Sequence, residues 1–168
     1  MVTVTNTNTV KSTSKNRTYK KHPLKKKLDK LLDDFRWAVK PQIAEFKAKE
    51  LAKYDDGFYR DALTGYRIKD SSKAQCDHNA DKNKSFRQLA YNFLTLHKVD
   101  ISHLTPRERK RLCREFAEYH RLNCSLRIVS ESRNRWLFYK HRKNDIHWKE
   151  FYKICSVPSE NSLLLEVN

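Results

Sequence analysis

The chain has 168 residues, with 36 Lys and Arg against 20 Asp and Glu, which gives a formal net charge of +16 at pH 7. This is the length of a single domain, and the pI near 9.8 is typical of proteins that bind nucleic acid phosphates through counterion release. No run of about 18 apolar residues is present, so we expect neither a transmembrane helix nor a membrane partner.

The four cysteines are scattered and form no Cys-x-x-Cys pair, which argues against a zinc knuckle and against a secreted disulfide scaffold. Because no apolar leader precedes a cleavage site, the expected setting is intracellular and reducing. We expect the cytoplasm, or the host cytoplasm for a viral protein, with a plastid as the alternative. A ribosomal-type or simply soluble basic protein is the plain alternative to a dedicated nucleic-acid-binding function.

Residues 1–22 are mainly Thr, Asn, Ser and Lys, and the first acidic residue of the chain is Asp29. A segment of this composition cannot offset its conformational entropy by burial, so we predict a disordered basic tail that adds nonspecific affinity. An organelle transit peptide is the other interpretation, although the segment is poor in Arg and Ala.

Residues 23–54 are predicted to form a helical N-terminal arm, because apolar residues recur at steps of three and four. The stripe consists of Leu24, Leu28, Leu31, Leu32 and Phe35, followed by Ile43, Phe46 and Leu51. We predict that Pro41 interrupts and restarts this helix, since proline lacks the backbone N–H that the helix needs.

Residues 55–155 are predicted to form the main domain, followed by a C-terminal tail at 156–168. Short strands are expected on both sides of a turn at Leu63-Thr64-Gly65, and a further strand is expected to end at His78. A helix capped by Ser85 follows, and the capping box Thr105-Pro106-Arg107-Glu108 predicts a second helix. The cysteines are expected to be small buried hydrophobic residues.

The end of the domain is predicted to hold a short apolar segment at 126–129 and a helix, capped by Ser130 or Ser132, that carries Asn134. A last apolar turn contains Trp148 and Phe151. The predicted fold class is therefore α+β and mostly helical: a small β-hairpin and helix with added helices.

Asp77 and His78 end a predicted strand, and Asn134 lies on a helix far along the chain. Phosphodiester hydrolysis needs a deprotonated water, a cation at the scissile phosphate and a stabilised leaving oxygen. Successive strand side chains point to opposite faces, so Asp77 can hold Mg²⁺ (or Mn²⁺) while neutral His78 takes the proton from water. Asn134 would supply a second, uncharged oxygen ligand.

The stretches Cys76-Asp77-His78-Asn79 and 125–135 (SLRIVSESRNR) resemble the HNH, or ββα-metal, endonuclease superfamily. In that superfamily an Asp-His pair ends the first strand, and an Asn on the following helix completes the metal site. The resemblance implies that His78 is the general base and that Asp77 and Asn134 are metal ligands. Over residues 58–140 the chain is most similar to an HNH-like group that includes the plant plastid DCL-type domain and phage proteins.

The chain departs from the superfamily at several positions. Ser125 stands where the superfamily has its central Asn, and Asn123 is a nearby substitute that could brace the loop holding the base. A predicted helical pair is inserted between the Asp-His and the last helix, and the usual proline after the Asp-His is missing. Two histidines are further candidates: His120, which we expect to cap or pack, and His141, which could add a ligand on the same helical face as Asn134.

Basic residues adjoin the predicted site from both directions and are expected to hold phosphates without reading sequence. They are Lys82, Lys84, Arg87, Arg127, Arg133, Arg135, Lys140 and Arg142. Trp136 and Tyr139 lie among them. We expect Trp136 to pack in the core, with stacking on bases as the alternative.

These patterns predict a Mg²⁺- or Mn²⁺-dependent HNH-type endonuclease that acts on DNA, or alternatively RNA, as a phage or mobile-element homing or nicking enzyme. The first alternative is a noncatalytic nucleic-acid-binding module of the same fold in RNA processing or at the ribosome. The second is a basic scaffold or virion protein that condenses nucleic acid. Histidines and cysteines far apart in the chain could also meet in a zinc site that leaves no motif, and the sequence does not specify the oligomeric state.

Overall fold

The computed structural model describes residues 22–80, 85–141 and 147–155, with side chains described as far as Phe151. Within these residues the fold is α+β and mostly helical, which confirms the predicted class. The elements follow in the order α1 (Pro23–Leu51), β1 (Ala74–His78), α2 (Phe86–Leu96), α3 (Pro106–Asn123), β2 (Leu126–Ser130), α4 (Glu131–His141) and α5 (Trp148–Cys155). In this part of the chain no helix is long and apolar enough to cross a membrane.

Helix α1 is continuous from Pro23 to Leu51, so the predicted break at Pro41 is wrong. The proline removes only one backbone hydrogen bond, and apolar residues pack into the core on both sides of it, with Val39 buried and Ile43 partly buried. This packing holds the two halves of the helix in line. The helix begins after His22, whose Nδ1 accepts the Leu24 N–H, and ends short of the predicted residue 54.

The main core lies between α1, α2 and α3 and is centred on aromatic rings. Phe35 of α1 is fully buried; its ring stacks on Phe116 of α3 with centroids 4.2 Å apart and meets Phe93 of α2 edge to face at 5.7 Å. The segment predicted as an N-terminal arm is therefore packed into the same core as the helices of the main domain.

The helices between the two strands begin where their caps predict. The Ser85 hydroxyl accepts the Gln88 N–H at the start of α2, and Thr105 and Glu108 form a reciprocal capping box at the start of α3. The predicted helical insert is thus confirmed.

The two strands pair antiparallel, with Asp77 opposite Arg127 and His78 opposite Leu126. The turn predicted at Leu63-Thr64-Gly65 lies against β2, where the Ala62 N–H donates to the Ile128 carbonyl at 2.8 Å. The short strands predicted beside this turn are reduced to a single bridge between Arg60 and Arg67. Gly65 closes the turn with a φ of +72°, a conformation that favours glycine.

The predicted tails lie almost entirely outside the described residues. Residues 1–21 and 156–168 are not described, and of the predicted N-terminal tail only His22 is seen, as the cap of α1.

We predict that Phe35→Ala lowers the free energy of unfolding by about 3–5 kcal/mol, because it empties a fully buried ring site between two other rings. Urea unfolding followed by circular dichroism measures this change. Trp37→Ala is the matched control on the same helix, since Trp37 is 69% exposed, and it should change the free energy by less than about 1 kcal/mol. Equal losses in the two variants would contradict the assignment of this core.

Candidate active site

Asp77, His78 and Asn134 line one cavity of about 610 Å³. Its walls are the middle of α1, strand β1, the start of α2 and one face of α4. The structure therefore brings together residues that the sequence holds far apart. Arg87, Arg135 and His141, also singled out from the sequence, line the same cavity.

The Asp77 carboxylate is tied to its cross-strand neighbour. Asp77 Oδ2 accepts a hydrogen bond from Arg127 Nε at 2.8 Å, and both side chains are largely buried. The pairing follows from the register, which places these residues directly opposite each other. The Arg127 side chain is buried and paired with Asp77, and its predicted contact with phosphates stays a prediction.

The His78 ring is held between aromatic and imidazole neighbours. Its Nε2 lies 2.8 Å from His120 Nε2, and its ring meets Phe86 edge to face at 5.4 Å. Burial, together with the charges of His120 and Arg36, lowers the pKa of His78 to about 4. His78 is therefore neutral at pH 7 and able to accept a proton.

His120 is a buried partner of His78 rather than a helix cap. Its side chain is fully buried on α3, and burial lowers its pKa to about 4. Its Nδ1 lies 2.9 Å from Gln42 Oε1 on α1, and Gln42 Nε2 donates to the Ala117 carbonyl at 2.7 Å. Three elements thus support the ring of His78.

Helix α4, which carries Asn134, is anchored at its start by Asp61. Asp61 Oδ2 accepts the Ser130 N–H at 2.9 Å, and its Oδ1 accepts the Leu63 N–H at 3.0 Å. Although burial opposes ionisation, these backbone donors hold the pKa of Asp61 below its ordinary value. Because α4 begins at the next residue, Glu131, this carboxylate positions the face that presents Asn134.

The two residues expected to replace the central Asn of the superfamily do not line the cavity. Ser125 acts through its backbone: its carbonyl accepts the Asn79 N–H at 2.7 Å and joins the end of β1 to the start of β2. The Asn123 amide donates to the Tyr119 carbonyl within α3 at 2.8 Å. The contact that Ser125 makes with Asn79 is therefore a main-chain contact and does not involve its hydroxyl.

The remaining basic and aromatic residues lie mostly at the surface. Arg133 approaches Asp61 at 4.0 Å, and the Lys140 ammonium lies over the Trp136 ring, 5.3 Å from its centroid. Trp136 is 54% exposed, so its predicted packing in the core is wrong. Lys82, Lys84 and Arg142 lie outside the described residues.

The oxygen donors at the cavity suit a hard cation. Asp77 offers a carboxylate and Asn134 an amide, which are ligand types that Mg²⁺ accepts. Among the described residues no three His, Cys, Asp or Glu side chains gather closely enough to hold a metal ion by themselves.

Cys76, Cys113 and Cys124 are free and half-buried, and burial raises the pKa of Cys76 to about 12.

Three residues near the site left no signal in the sequence. Gln42 and Arg36 lie on α1, far from Asp77 and His78 in the chain, and read as ordinary polar positions of an amphipathic helix. Asp61 reads as a turn residue. Only the packing of α1 over the strands and the contact of the 61–65 turn with β2 reveal their roles.

Comparisons with protein-family models, with curated proteins and with solved structures found no match. The chemistry of the site is therefore inferred from its own residues. The features that decide it are the shared cavity of Asp77, His78 and Asn134 and the histidine pair behind it.

We predict that the free energy of unfolding falls as the pH is lowered from about 6.5 to about 4.5. His78 and His120 have folded-state pKa values near 4, against about 6.5 in the unfolded chain, so the unfolded chain binds more protons in this interval. Their contribution is complete above pH 6.5 and is lost on acidification, by at most about 1.4 kcal/mol per pH unit for each histidine. Urea unfolding at a series of pH values measures the slope.

The charged groups that line the cavity around His78 include Arg36 on α1, Arg87 on α2 and Glu131 on α4, so a matched variant is needed to isolate the histidines. The double variant His78→Gln/His120→Gln should have a flatter profile between pH 6.5 and 4.5. His97→Gln, at an exposed histidine that caps α2, should keep the wild-type slope. A wild-type profile as flat as that of the double variant would contradict the assignment.

Proposed function

We propose that this protein is a metal-dependent endonuclease of HNH type that hydrolyses phosphodiester bonds in DNA. The observation that carries the proposal is the convergence of Asp77, His78 and Asn134 on one cavity. A carboxylate and an amide oxygen can hold a metal ion, and a neutral imidazole can accept the proton of the attacking water, which are roles that metal-assisted phosphodiester hydrolysis uses.

The arrangement of the elements supports this proposal. The paired strands β1 and β2 are followed directly by α4, which packs against both. Asp77 and His78 end the first strand, and Asn134 lies one turn into the helix. The proposal interprets this strand–strand–helix order, with α2 and α3 between the strands, as that of a ββα-metal site.

In this proposal Asp77 and Asn134 hold the metal ion. When bound, Mg²⁺ would neutralise charge at the scissile phosphate and stabilise the leaving oxygen. Arg127 already holds one carboxylate oxygen of Asp77 through a hydrogen bond of 2.8 Å. His78 and the basic residues of the walls supply the remaining functions.

His78 acts as the general base that takes a proton from the attacking water. Its ring is neutral at pH 7, since burial holds its pKa near 4, so the lone pair is available. A base of such low pKa is weak by itself. A phosphate dianion or diester in the cavity favours the protonated ring and raises the pKa of the histidine toward the working range.

The surface beside the cavity suits a nucleic acid strand. Arg87 and Arg135 line the opening, and Trp136, Phe138 and Tyr139 are all more than half exposed on α4. Arginines can hold backbone phosphates, and exposed rings can stack on bases. The net charge of +16 favours binding of any polyanion and adds to the attraction between these arginines and backbone phosphates.

A noncatalytic nucleic-acid-binding module is the second candidate, and one observation favours it. Asp77 is bound to Arg127 in a largely buried ion pair, and His78 is bound to His120, so both groups also have structural partners. In that case the same surface would bind nucleic acid, and neither the wild type nor a His78 variant would cut it.

We predict that the protein nicks supercoiled plasmid in Mg²⁺ or Mn²⁺, and that His78→Ala lowers the rate by about 10²- to 10⁴-fold through loss of the base. Asp77→Asn and Asn134→Ala should also reduce cutting and should raise the metal concentration needed for half-maximal rate. Gel electrophoresis of plasmid forms, with EDTA as the metal-free control, measures all three effects.

His103→Ala is the matched control for this experiment, since its side chain is 85% exposed and lies outside the cavity. It should cut at the wild-type rate. If wild type binds DNA and RNA substrates in both metals but cuts none of them, the endonuclease proposal fails and the noncatalytic module takes its place. Circular dichroism of each variant establishes that the fold is retained.

We predict that Arg87→Ala and Arg135→Ala each weaken binding to duplex DNA in EDTA. If each arginine neutralises one phosphate, each change should reduce the slope of log K against log salt concentration by about 0.9. Lys110→Ala, an exposed charge near the opposite end of α3 from His120, is the matched control and should keep the slope. Fluorescence anisotropy over a salt series measures it, and equal slopes in all variants would contradict a strand path across the cavity.

A further inference from the structure

A chain of three polar side chains runs from the core to the cavity. Gln42 on α1 contacts His120 on α3 at 2.9 Å, and His120 contacts His78 at the end of β1 at 2.8 Å. His120 is fully buried, while the His78 ring lines the cavity. Each contact joins a different pair of elements, so the chain also fixes α1, α3 and β1 relative to one another.

The direction of each hydrogen bond follows from the groups involved. Gln42 Nε2 donates to the Ala117 carbonyl at 2.7 Å, which turns the amide oxygen toward His120. An amide oxygen can only accept, so His120 Nδ1 must carry the proton. A neutral imidazole has one N–H, which leaves His120 Nε2 as an acceptor.

The same reasoning then fixes the tautomer of His78. Because His120 Nε2 accepts, His78 Nε2, which lies opposite it, must donate. His78 Nδ1 is left as the nitrogen with the lone pair, and it has no hydrogen-bond partner among the described residues. The ring nitrogen that can accept a proton is thus the one that His120 does not occupy.

We propose that Gln42 and His120 are positioning residues that hold His78 as its Nε2–H tautomer, so that Nδ1 is the atom that accepts a proton in the cavity. The assignment of Nδ1 as the reacting atom rests on the proposed function, whereas the tautomers do not. Phe86 completes the arrangement, since its ring packs against His78 and restricts rotation of the imidazole.

The acceptor behind His78 is a neutral imidazole and not a carboxylate. A carboxylate in that place would stabilise the charged ring strongly and raise its pKa, whereas a neutral acceptor orients the ring with a smaller effect on charge. The arrangement therefore selects a tautomer without adding negative charge next to a phosphate-binding cavity, where it would repel the substrate.

The test is long-range ¹H–¹⁵N NMR of the full chain labelled with ¹⁵N-histidine at pH 7. The wild type should show His78 as the Nε2–H tautomer and His120 as the Nδ1–H tautomer. Gln42→Met removes the acceptor at nearly constant size, so both rings should move toward mixtures of tautomers.

Gln88→Met is the matched control, since Gln88 lies on α2 away from the cavity, and it should leave both tautomers unchanged. In the cleavage assay Gln42→Met should lower kcat by about 10- to 100-fold, by analogy with other orienting partners, with little change in KM. Urea unfolding of the variants separates loss of tautomer from loss of fold.

The inference is overturned if wild-type His78 carries its proton on Nδ1, or if Gln42→Met leaves both tautomers as they were in a folded protein. The expected tautomers in a protein that cuts no nucleic acid would support the positioning role and overturn only the proposed endonuclease function. If the protein cuts nucleic acid but shows the opposite tautomers, the endonuclease function is supported and the positioning role of Gln42 and His120 is overturned.

Discussion

Antiparallel pairing of β1 with β2 is the constraint on which the site depends. It sets Asp77 opposite Arg127, and it places the end of β1 beside the helix that follows β2. A slip of one residue would exchange the faces of Asp77 and His78, which would separate the carboxylate from Arg127 and the imidazole from His120. Charge pairing on one face and imidazole contact on the other therefore both depend on a single register.

Helices α1, α2 and α3 form the hydrophobic core that lies against the paired strands. Their core surrounds Phe35, Phe93 and Phe116, and it ends at the polar chain of Gln42, His120 and His78. The two histidines belong to both the aromatic core and the polar chain, because their rings pack against Phe86 while their nitrogens make hydrogen bonds. Burial that stabilises the core also keeps both imidazoles neutral.

Local signals in the sequence predicted the helices between the strands, since Ser85 and Thr105 are caps with a defined partner a few residues away. The Asp-His pair and Asn134 were recognisable as a pattern, although their activity remains a prediction. The burial of Arg127 was not predictable, because it depends on which residue stands opposite on another strand. The prediction that Trp136 packs in the core was wrong because only Leu137 is buried on α4. That helix has no apolar stripe in its sequence that would show which face is buried.

The hydrogen bond between Asn79 and Ser125 has a consequence for the order of folding. It joins the two ends of the long segment that separates the strands, so the strands can meet only after that segment has become compact. Closing a loop of roughly 50 residues costs about 2 kcal/mol more entropy than closing a four-residue hairpin. The helical core, with its shorter-range contacts, should therefore form before the strands pair, and the cavity would be the last part of the molecule to take shape.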